Sequence, residues 1–508
     1  MQDLTDEIFA FKQLQKQFAE EYESIFYDRM AAKTIVIVPS LTLDQEILAK
    51  IDGVSHYEER LLCLLMLLRM PNTHVIYLTS TPVHSIILDY YLHLLPGITS
   101  YHARQRLKTL SCFDISNKSL TEKILSRPRL IERIRQSIPP HHKAHLACFN
   151  VTAAERSLAV KLNIPLFGCD PDLLYLGTKN FSRKIFKACN IDTPPGYEDL
   201  NSEEDIINAL ANLKQTNPGM QKAVVKLNDG FSGEGNAVYC YQDMDPGHDL
   251  KLEIKKSMRL SLHIVAHDLT YKTFLKKFQL MGGIVEAFVE GTVKAFPSVQ
   301  CRITPVGEIE ILSTHDQVLG GESGQVFLGA HFPANMEYAI QIGKLGKQIS
   351  EELKHYGVLG RFSIDFISVK EENEWKNYAI EINLRKGGTT HPYLMLQFLT
   401  DGDYDPVSAM YFTANHQQRY YFFSDNLQSE CYKGLTPHDL IEISTAEDLL
   451  YDGSIQQGVI FHMIGALSQY GKLGILCIGA SPEMTMQLYE KTVEVLNKEK
   501  SNLGACMK

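Results

Sequence analysis

The chain has 508 residues, which at about 150 residues per domain predicts about three domains. Its composition is 44% hydrophobic and 22% charged with a net charge of −10, which is typical of a soluble globular protein and excludes collagen-like, coiled-coil and wholly disordered chains. The longest apolar run, residues 61–68, is far shorter than the roughly 20 residues of a membrane span. The acidic N-terminus has no signal-peptide core and the ten cysteines form no C-x-x-C motif, so we expect a cytoplasmic protein with reduced thiols and no membrane partner.

The first third of the chain alternates short apolar strands with helices. An amphipathic helix is predicted over residues 1–30, where apolar residues recur at helical spacing among charges. The predicted strands lie at 34–39, 74–79, 145–150 and 164–168, with helices at 57–70 and 83–95 between the first of them. Strands separated by helices predict a parallel-sheet α/β domain, which we place at residues 1–170.

One basic segment departs from the acidic average. Residues 102–145 contain ten Lys and Arg against three Asp and Glu, a local charge of +7, which leaves −17 for the rest of the chain. A solvated helical face and a surface that attracts anionic substrates both fit this pattern. Because no recognition motif accompanies the charge and the whole chain is acidic, we expect no nucleic-acid partner.

From residue 171 onward β-type segments dominate. A helix predicted at 178–189 is followed by strands at 223–227, 237–241, 283–289, 298–303, 308–314, 361–369 and 377–383. This pattern predicts an α+β domain at residues 171–415. The tail has predicted strands at 458–464 and 473–478 and a helix at 482–497, which indicate a small α+β cap at residues 416–508.

The strongest local pattern is a predicted hairpin that carries three oxygen-bearing side chains. A hairpin symmetric about Asn373 places Asp365 opposite Glu381, with their β-carbons about 4.5–5.5 Å apart, and period-two alternation places Asn383 on the same face. Two carboxylates and an amide are hard oxygen ligands that suit Mg²⁺ shared with substrate phosphates. A polar, solvent-facing edge without a ligand is the alternative, although opposed like charges destabilise a sheet unless something neutralises them.

Two lysines occupy positions that favour an anionic ligand. Lys226 ends a buried apolar strand and is followed by a glycine-rich turn, where backbone N–H groups can approach phosphate oxygens. Lys179 lies at the start of a predicted helix, where a cation is unfavourable unless an anion is close. A flexible turn and an exposed lysine are the respective alternatives. The strand at 284–289, with the acidic residue Glu286, is uninformative by itself.

Taken in order, these features resemble the ATP-grasp superfamily over residues 177–395. The order is a lysine at a helix start, a lysine with a glycine-rich hairpin, an acidic strand before a glycine, and then Asp…Glu-x-Asn. The runs at 381–392, 314–324 and 458–474 are more specific and resemble the pheganomycin-type peptide ligases of that superfamily. The resemblance implies a pre-ATP-grasp-like N-terminal domain, a central ATP-grasp fold and a C-terminal α+β cap.

The resemblance also implies roles for individual residues. Those expected to bind ATP are the phosphate lysines Lys179 and Lys226, the mobile-loop residues Asn228, Gly230, Ser232, Gly233 and Gly235, and the adenine hinge Glu286, Phe288 and Val289. Those expected to hold Mg²⁺ are Asp365, Glu381 and Asn383. The expected catalytic residues are Lys226, Arg385, which would steady an acyl phosphate or carboxylate, and Arg361, for which a salt bridge is the alternative. The family's ribose-binding acid is replaced by Val293, with Glu290 as a substitute.

The implied activity is that of an ATP- and Mg²⁺-dependent carboxylate–amine ligase that joins amino acids or short peptides through an acyl phosphate. An ATP-grasp kinase and a non-catalytic ATP-binding regulatory protein are the alternatives. The expected partners are a small carboxylate, a small amine and, as in many relatives, a second copy of the chain. His315 is a candidate base, and the segment 319–329 is a second lid, part of the acceptor pocket or a structural loop.

Overall fold

The computed structural model describes residues 2–43, 48–230, 235–241, 249–266, 269–320 and 326–506. The α-helices span Gln2–Phe26, Ser85–His93, Ser100–Gln105, Leu120–Leu125, Pro128–Gln136, Ala153–Leu162, Lys179–Ala188, Glu203–Thr216, Leu250–Ser261, Tyr271–Met281, Met336–His355, Thr390–Thr400, Pro437–Ala446, Leu467–Tyr470 and Pro482–Cys506. The 3₁₀ helices span Val54–Arg69, Pro171–Gly177, Glu430–Tyr432 and Ile464–Ala466. Among the helices of these ranges, none has the length and apolarity of a membrane span.

The N-terminal region contains the predicted parallel sheet. Its described strands are β1 (Lys33–Val38), β2 (Thr73–Thr79), β3 (Leu107–Ser111) and β4 (Lys143–Cys148), in the order β3-β2-β1-β4 and all parallel. Every residue of β1 is buried, and its alternate side chains pack into different cores: Ile35 on one face, Val36 on the other. Burial of both faces explains why this strand is a continuous apolar run.

The structure differs from the predictions for this region at three points. Residues 164–168 make only an isolated parallel bridge between Leu146 and Leu166, so no fifth strand joins the described sheet. The basic segment contains the edge strand β3, whose sequence Leu-Lys-Thr-Leu-Ser is too short and polar to show the apolar run of a central strand. The predicted helix at 57–70 is the 3₁₀ helix Val54–Arg69, and it packs against the helix Thr390–Thr400 of the central region.

A five-stranded antiparallel sheet follows in the described chain. Its strands are β5 (Gly196–Leu200), β6 (Lys222–Leu227), β7 (Asn236–Cys240), β8 (Leu262–Ile264) and β9 (Gly283–Ala287), in the order β5-β9-β6-β7-β8. The helices Glu203–Thr216, Leu250–Ser261 and Tyr271–Met281 cover one face and form a separate core with it. This leaves the other face of β6 and β9 to line a cavity.

The largest sheet combines the central region and the tail. Its nine described strands are β10 (Lys294–Ala295), β11 (Pro297–Ile303), β12 (Ile309–Gly320), β13 (Val326–Phe332), β14 (Gly360–Glu371), β15 (Glu374–Asn383), β18 (Tyr420–Gln428), β19 (Gly458–His462) and β20 (Lys472–Gly479). The order is β10-β14-β11-β12-β13-β18-β20-β19, with β15 paired to the other side of β14, while β16 (Asp403–Asp405) and β17 (Met410–Phe412) form a separate hairpin. The strands of the predicted C-terminal cap therefore extend the central sheet.

The β14–β15 hairpin has the predicted pairing for a different reason. Asp365 lies opposite Glu381, as expected, but near the turn Glu371 pairs with Glu374, so the hairpin is not centred on Asn373. A bulge between Asp365 and Phe366 shifts the register by one residue. The register shift at the bulge compensates for the displaced centre of the turn, so Asp365 and Glu381 are paired after all.

Candidate active site

A cavity of about 810 Å³ lies between the five-stranded and nine-stranded sheets. Its described lining carries seven cationic and five acidic side chains, an excess of positive charge that suits anionic substrates. Most of the residues predicted to bind ATP and metal line this cavity. They are Lys179, Lys226, Gly230, Gly235, Glu286, Phe288, Val289, Asp365, Glu381 and Asn383, and the predicted catalytic residue Arg385 lines the cavity too.

The predicted metal carboxylates face each other across β14 and β15. Burial raises the pKa of Asp365 to about 6, and the facing charge of Glu381 acts in the same direction. Amide groups satisfy both oxygens of Asp365, through Gln317 Nε2 at 3.1 Å and Asn383 Nδ2 at 2.9 Å. Two adjacent carboxylates with a partly exposed Glu381 are a donor set that fits a divalent cation.

Lys179 is the first residue of the helix Lys179–Ala188 and points at the metal carboxylates. The Thr178 hydroxyl caps the helix by accepting a hydrogen bond from Phe181 N–H at 3.4 Å. The Lys179 ammonium, buried at the cavity wall, makes an ion pair with Glu381. The carboxylate of Glu381 thus offsets the unfavourable position of a cation at a helix N-terminus. In this position Lys179 could also neutralise a phosphate bound in the cavity.

Lys226 is held by a buried three-residue ion-pair network. Its ammonium pairs with Glu286 on the neighbouring strand β9, where Val224 and Glu286 are directly opposite. The second carboxylate oxygen of Glu286 accepts from Arg183 Nη1 at 2.9 Å. Both oxygens of Glu286 contact cations, so its side chain positions Lys226, and its expected part in the adenine hinge stays a prediction. Arg183 also donates to Glu198, at 2.7 Å, and was not predicted from the sequence.

The predicted phosphate loop is only partly described. Ser232 and Gly233 lie outside the described residues. Gly230 and Gly235 are close enough that a β-carbon on Gly230 would lie 3.2 Å from the Gly235 α-carbon, so the loop base needs small residues. Asn228 does not line the cavity: its amide accepts from Asn180 N–H at 3.1 Å and donates to a backbone carbonyl, joining the loop base to the lysine-bearing helix.

The hinge segment passes along the cavity beside β9. The Phe288 N–H donates to Lys222 O at 3.2 Å, and the Val289 carbonyl accepts from Lys294 Nζ at 3.2 Å. The Lys294 ammonium also lies 5.0 Å from the Phe288 ring centroid. Val293 is half exposed and is not part of the cavity lining, and neither is Glu290.

Of the two predicted arginines, the cavity contains only one. Arg385 Nη2 donates to Asn383 Oδ1 at 3.3 Å, and burial lowers its pKa. Arg361 shares a strand face with Asp365 but stands four residues away, about 13 Å along the strand. It lies opposite Arg302 outside the cavity lining, and burial, with that neighbouring charge, lowers its pKa to about 10. The prediction that Arg361 is catalytic is therefore not supported by its position.

The candidate base His315 is fully buried away from the cavity. Its Nε2 lies 2.6 Å from the Tyr421 hydroxyl, and burial lowers its pKa to about 3. Its ring therefore belongs to the core of the large sheet. In the segment proposed as a lid, Leu319 and Phe327 line the cavity, whereas residues 321–325 are outside the described chain.

Comparison with known proteins agrees with this geometry. Residues 172–256 and 267–407 match the family model "IQCH-like, ATP-grasp", and residues 439–492 match "PGM1 C-terminal domain". This chain contains an ATP-grasp domain. The solved biotin carboxylase–βγ-ATP complex of Campylobacter jejuni is similar in fold to most of the chain, with a TM-score of 0.55, 12% identity, and 93% of this chain and 96% of that chain covered.

Two curated relatives extend the similarity beyond the ATP-grasp domain. The chain is 26% identical over 457 residues to L-propargylglycine–L-glutamate ligase of Streptantibioticus cattleyicolor, which covers 89% of this chain and 91% of that protein. It is 23% identical to IQ motif-containing protein H of Danio rerio, of which it spans 49%. The predicted resemblance to the ATP-grasp superfamily and its pheganomycin-type ligases is confirmed by these matches.

Several cavity residues lie outside the ATP-grasp domain and were not predicted. Tyr57 and Arg60 come from the 3₁₀ helix Val54–Arg69, and Asp425 and Lys472 come from strands of the tail. The N-terminal and C-terminal regions thus form one end of the cavity, and these four residues line it. Lys472 lies in the run 458–474 that carries part of the family resemblance, but no role was assigned to it, and Tyr57, Arg60 and Asp425 belong to no motif with recognisable spacing.

Proposed function

We propose that this protein is an ATP-dependent carboxylate–amine ligase that forms an amide bond through an acyl phosphate and releases ADP and phosphate. The observation that carries the proposal is the placement of two cationic groups, Lys179 and Lys226, in one cavity with the facing pair Asp365 and Glu381. The extended similarity to a protein named as an amino-acid ligase supports the same chemistry.

In the first step a carboxylate oxygen of the donor attacks the γ-phosphorus of ATP. The bond to the β–γ bridging oxygen breaks, and ADP leaves with that electron pair. Because such a transfer depends on positioning and charge neutralisation, the step needs cations around the phosphates more than a nucleophilic side chain. Lys226, which Glu286 holds in place, and Lys179 supply that positive charge. The backbone at Phe288 and Val289 would position the adenine ring of ATP.

A magnesium ion held by Asp365, Glu381 and Asn383 would supply further neutralisation of the transferred phosphate. The residues fit this role because two carboxylates occupy paired positions with one side open to the cavity. Lys179, which pairs with Glu381, would share with the ion the neutralisation of the phosphates. Asn383 currently turns its amide nitrogen toward Asp365, so ligation requires the opposite amide orientation.

In the second step the neutral amine attacks the carbonyl carbon of the acyl phosphate. The C–O bond to phosphate breaks, phosphate leaves, and the nitrogen loses one proton to give the amide. Arg385 lies beside Asn383 and would stabilise the negative charge on the acyl phosphate oxygens. Water must be kept out of the cavity because it would hydrolyse this intermediate.

The test is a screen of amino acids, singly and in pairs, for ADP release with mass detection of the product. A ligase releases ADP and forms a coupled product only when both a carboxylate and an amine are present. A stable phosphorylated product that ignores the amine would identify a kinase, and ATP binding without ADP release under any substrate set would identify a regulatory binder. The homodimer implied by the resemblance remains a prediction for sedimentation analysis.

A further inference from the structure

A second group of cationic side chains lines the cavity beside the strands β18 and β20, away from the metal carboxylates on β14 and β15. We define the acceptor subsite as Tyr57, Arg60, Asp425 and Lys472, all of which line the cavity. The Arg60 guanidinium lies over the Tyr57 ring, 4.1 Å from its centroid. Lys472 Nζ donates to the Tyr57 hydroxyl at 2.9 Å. Two cations therefore converge on one aromatic side chain.

Arg60 is held in place from behind by a buried acid. Its Nη2 lies 2.6 Å from Asp425 Oδ2. The other oxygen, Asp425 Oδ1, lies 2.6 Å from His462 Nε2. Burial alone would raise the pKa of Asp425, but Arg60 and the neighbouring histidines outweigh it and hold that pKa below its usual value. The carboxylate is thus ionised, and the ion pair holds the guanidinium in place.

The guanidinium retains unused donors. Arg60 Nε is buried and has no hydrogen-bond partner among the described residues. A buried donor without a partner is costly, and a planar guanidinium is suited to binding a carboxylate through two parallel bonds. The proposed reaction has two organic substrates, and the donor carboxylate belongs with Arg385 beside the metal ligands. Arg60 and Arg385 line the same cavity.

We propose that Arg60 binds the free carboxylate of the amine substrate, so that the acceptor is an α-amino acid. This inference rests on the proposed ligase function and specifies its second substrate. With the carboxylate fixed by Arg60 and Lys472, the amine of an α-amino acid, two bonds away, faces the acyl phosphate beside Arg385. Asp425 is a positioning residue in this arrangement because it acts through Arg60.

The experiment separates activation of the donor from use of the acceptor. The full chain is supplied with ATP, Mg²⁺ and each of the common amino acids as donor. Hydroxylamine, which has no carboxylate, captures the acyl phosphate as a hydroxamate, while glycine, L-alanine or L-glutamate gives a dipeptide. For Arg60→Gln we expect dipeptide kcat/KM to fall about 10- to 100-fold, the effect of losing a charge-assisted hydrogen bond, and hydroxamate formation to fall much less.

Three further variants test the assignment of roles. Arg60→Lys keeps the charge but not the two-donor geometry, so we expect an intermediate loss. Asp425→Asn should raise the acceptor KM more than it lowers kcat, and it should add little to Arg60→Gln in the double variant, because it acts through the missing side chain. The matched control is Arg69→Gln, on the same 3₁₀ helix, whose guanidinium pairs with Asp401 outside the cavity.

Each outcome decides the inference. Equal losses of hydroxamate and dipeptide in Arg60→Gln would place Arg60 on the donor or nucleotide and overturn it. Unchanged dipeptide kinetics in a variant with wild-type melting temperature, or use of L-alaninamide as well as L-alanine by the wild type, would overturn it too. Absence of hydroxamate with every donor would instead refute the ligase function, and with it this inference.

Discussion

Replacement of Lys226 by methionine should remove activity without unfolding the protein. The side chain is buried at the cavity wall and contacts Glu286, so methionine fills similar volume without the charge. Loss of one preorganised charge-stabilising group costs about 10²–10³ in turnover, or roughly 3–4 kcal/mol of transition-state stabilisation. We therefore expect the rate of ADP release to fall by that factor.

The stability of this variant follows from the ion-pair network around Glu286. Breaking a buried ion pair generally costs about 3–5 kcal/mol, because it leaves an uncompensated charge. In Lys226→Met the carboxylate keeps Arg183 at 2.9 Å, so the loss of unfolding free energy should be well below that range. Arg183→Met is the contrasting variant: it also removes the bonds to Glu198 and to the Pro194 carbonyl, and should lose the full amount.

The assay combines coupled ADP detection with urea unfolding of both variants and the wild type. The expected pattern is an inactive, stable Lys226→Met and a clearly destabilised Arg183→Met. A folded Lys226→Met protein whose turnover lies within a few-fold of wild type would refute the assignment of Lys226 to the phosphates. Equal destabilisation of the two variants would refute the argument that Arg183 alone can hold Glu286.

Three other predictions address separate parts of the molecule. Glu381→Ala should lower turnover about 10²–10³-fold in steady-state kinetics, and a near-wild-type rate would contradict its role as a metal ligand. Burial raises the pKa of Glu58 from 4.5 to about 7, so the folded state binds the extra proton and stability falls as pH rises from about 4.5 to 7. The free energy of unfolding of Glu58→Gln relative to wild type, measured with urea, should therefore increase by about 3 kcal/mol between pH 4 and pH 8. A difference between the two proteins that does not change with pH would exclude Glu58 as the cause. Gly474→Ala should lower the melting temperature, because its β-carbon would overlap the His462 imidazole that holds Asp425; an unchanged melting temperature would show that the ring can move at no cost.

The metal hairpin shows how a correct prediction can rest on an incomplete reason. Alternation and a symmetric turn were enough to pair Asp365 with Glu381. The actual turn is displaced by half a residue, and a bulge after Asp365 restores the pairing. A bulge leaves no mark in the pattern of polar and apolar residues because it changes register without changing which residues are apolar. The faces were therefore predictable from the sequence, but the register was not.

Arg361 shows the limit of the same rule. Period-two alternation correctly assigns it to one face of a strand with Asp365, but a shared face does not imply a shared site. The cavity covers only part of that face, and Arg361 lies opposite Arg302 beyond its lining. The distance along the strand decides which residues a ligand can reach, and that requires knowing where the cavity ends.

The acceptor subsite was beyond sequence reasoning because its parts are joined only by tertiary structure. The segment containing Asp425 is Tyr-Tyr-Phe-Phe-Ser-Asp-Asn-Leu-Gln, which has no polar–apolar alternation and was not predicted as a strand. Arg60 is 365 positions earlier in the chain than the acid it contacts. Local propensity carries no information on such a pair.

The position of Asp425 in the large sheet explains why it acts through Arg60. Four strand spacings separate β18 from β14, about 19 Å across a flat sheet. A carboxylate at that distance cannot contact groups beside Asp365, whereas an arginine extending from the opposite wall can bridge part of the gap. Asp365 and Asp425 both belong to the large sheet, and Arg60 extends into the space between them from the 3₁₀ helix Val54–Arg69. The helix belongs to the N-terminal region and the metal carboxylates belong to the central region, so a displacement of the helix would move Arg60 relative to Asp365 and Glu381.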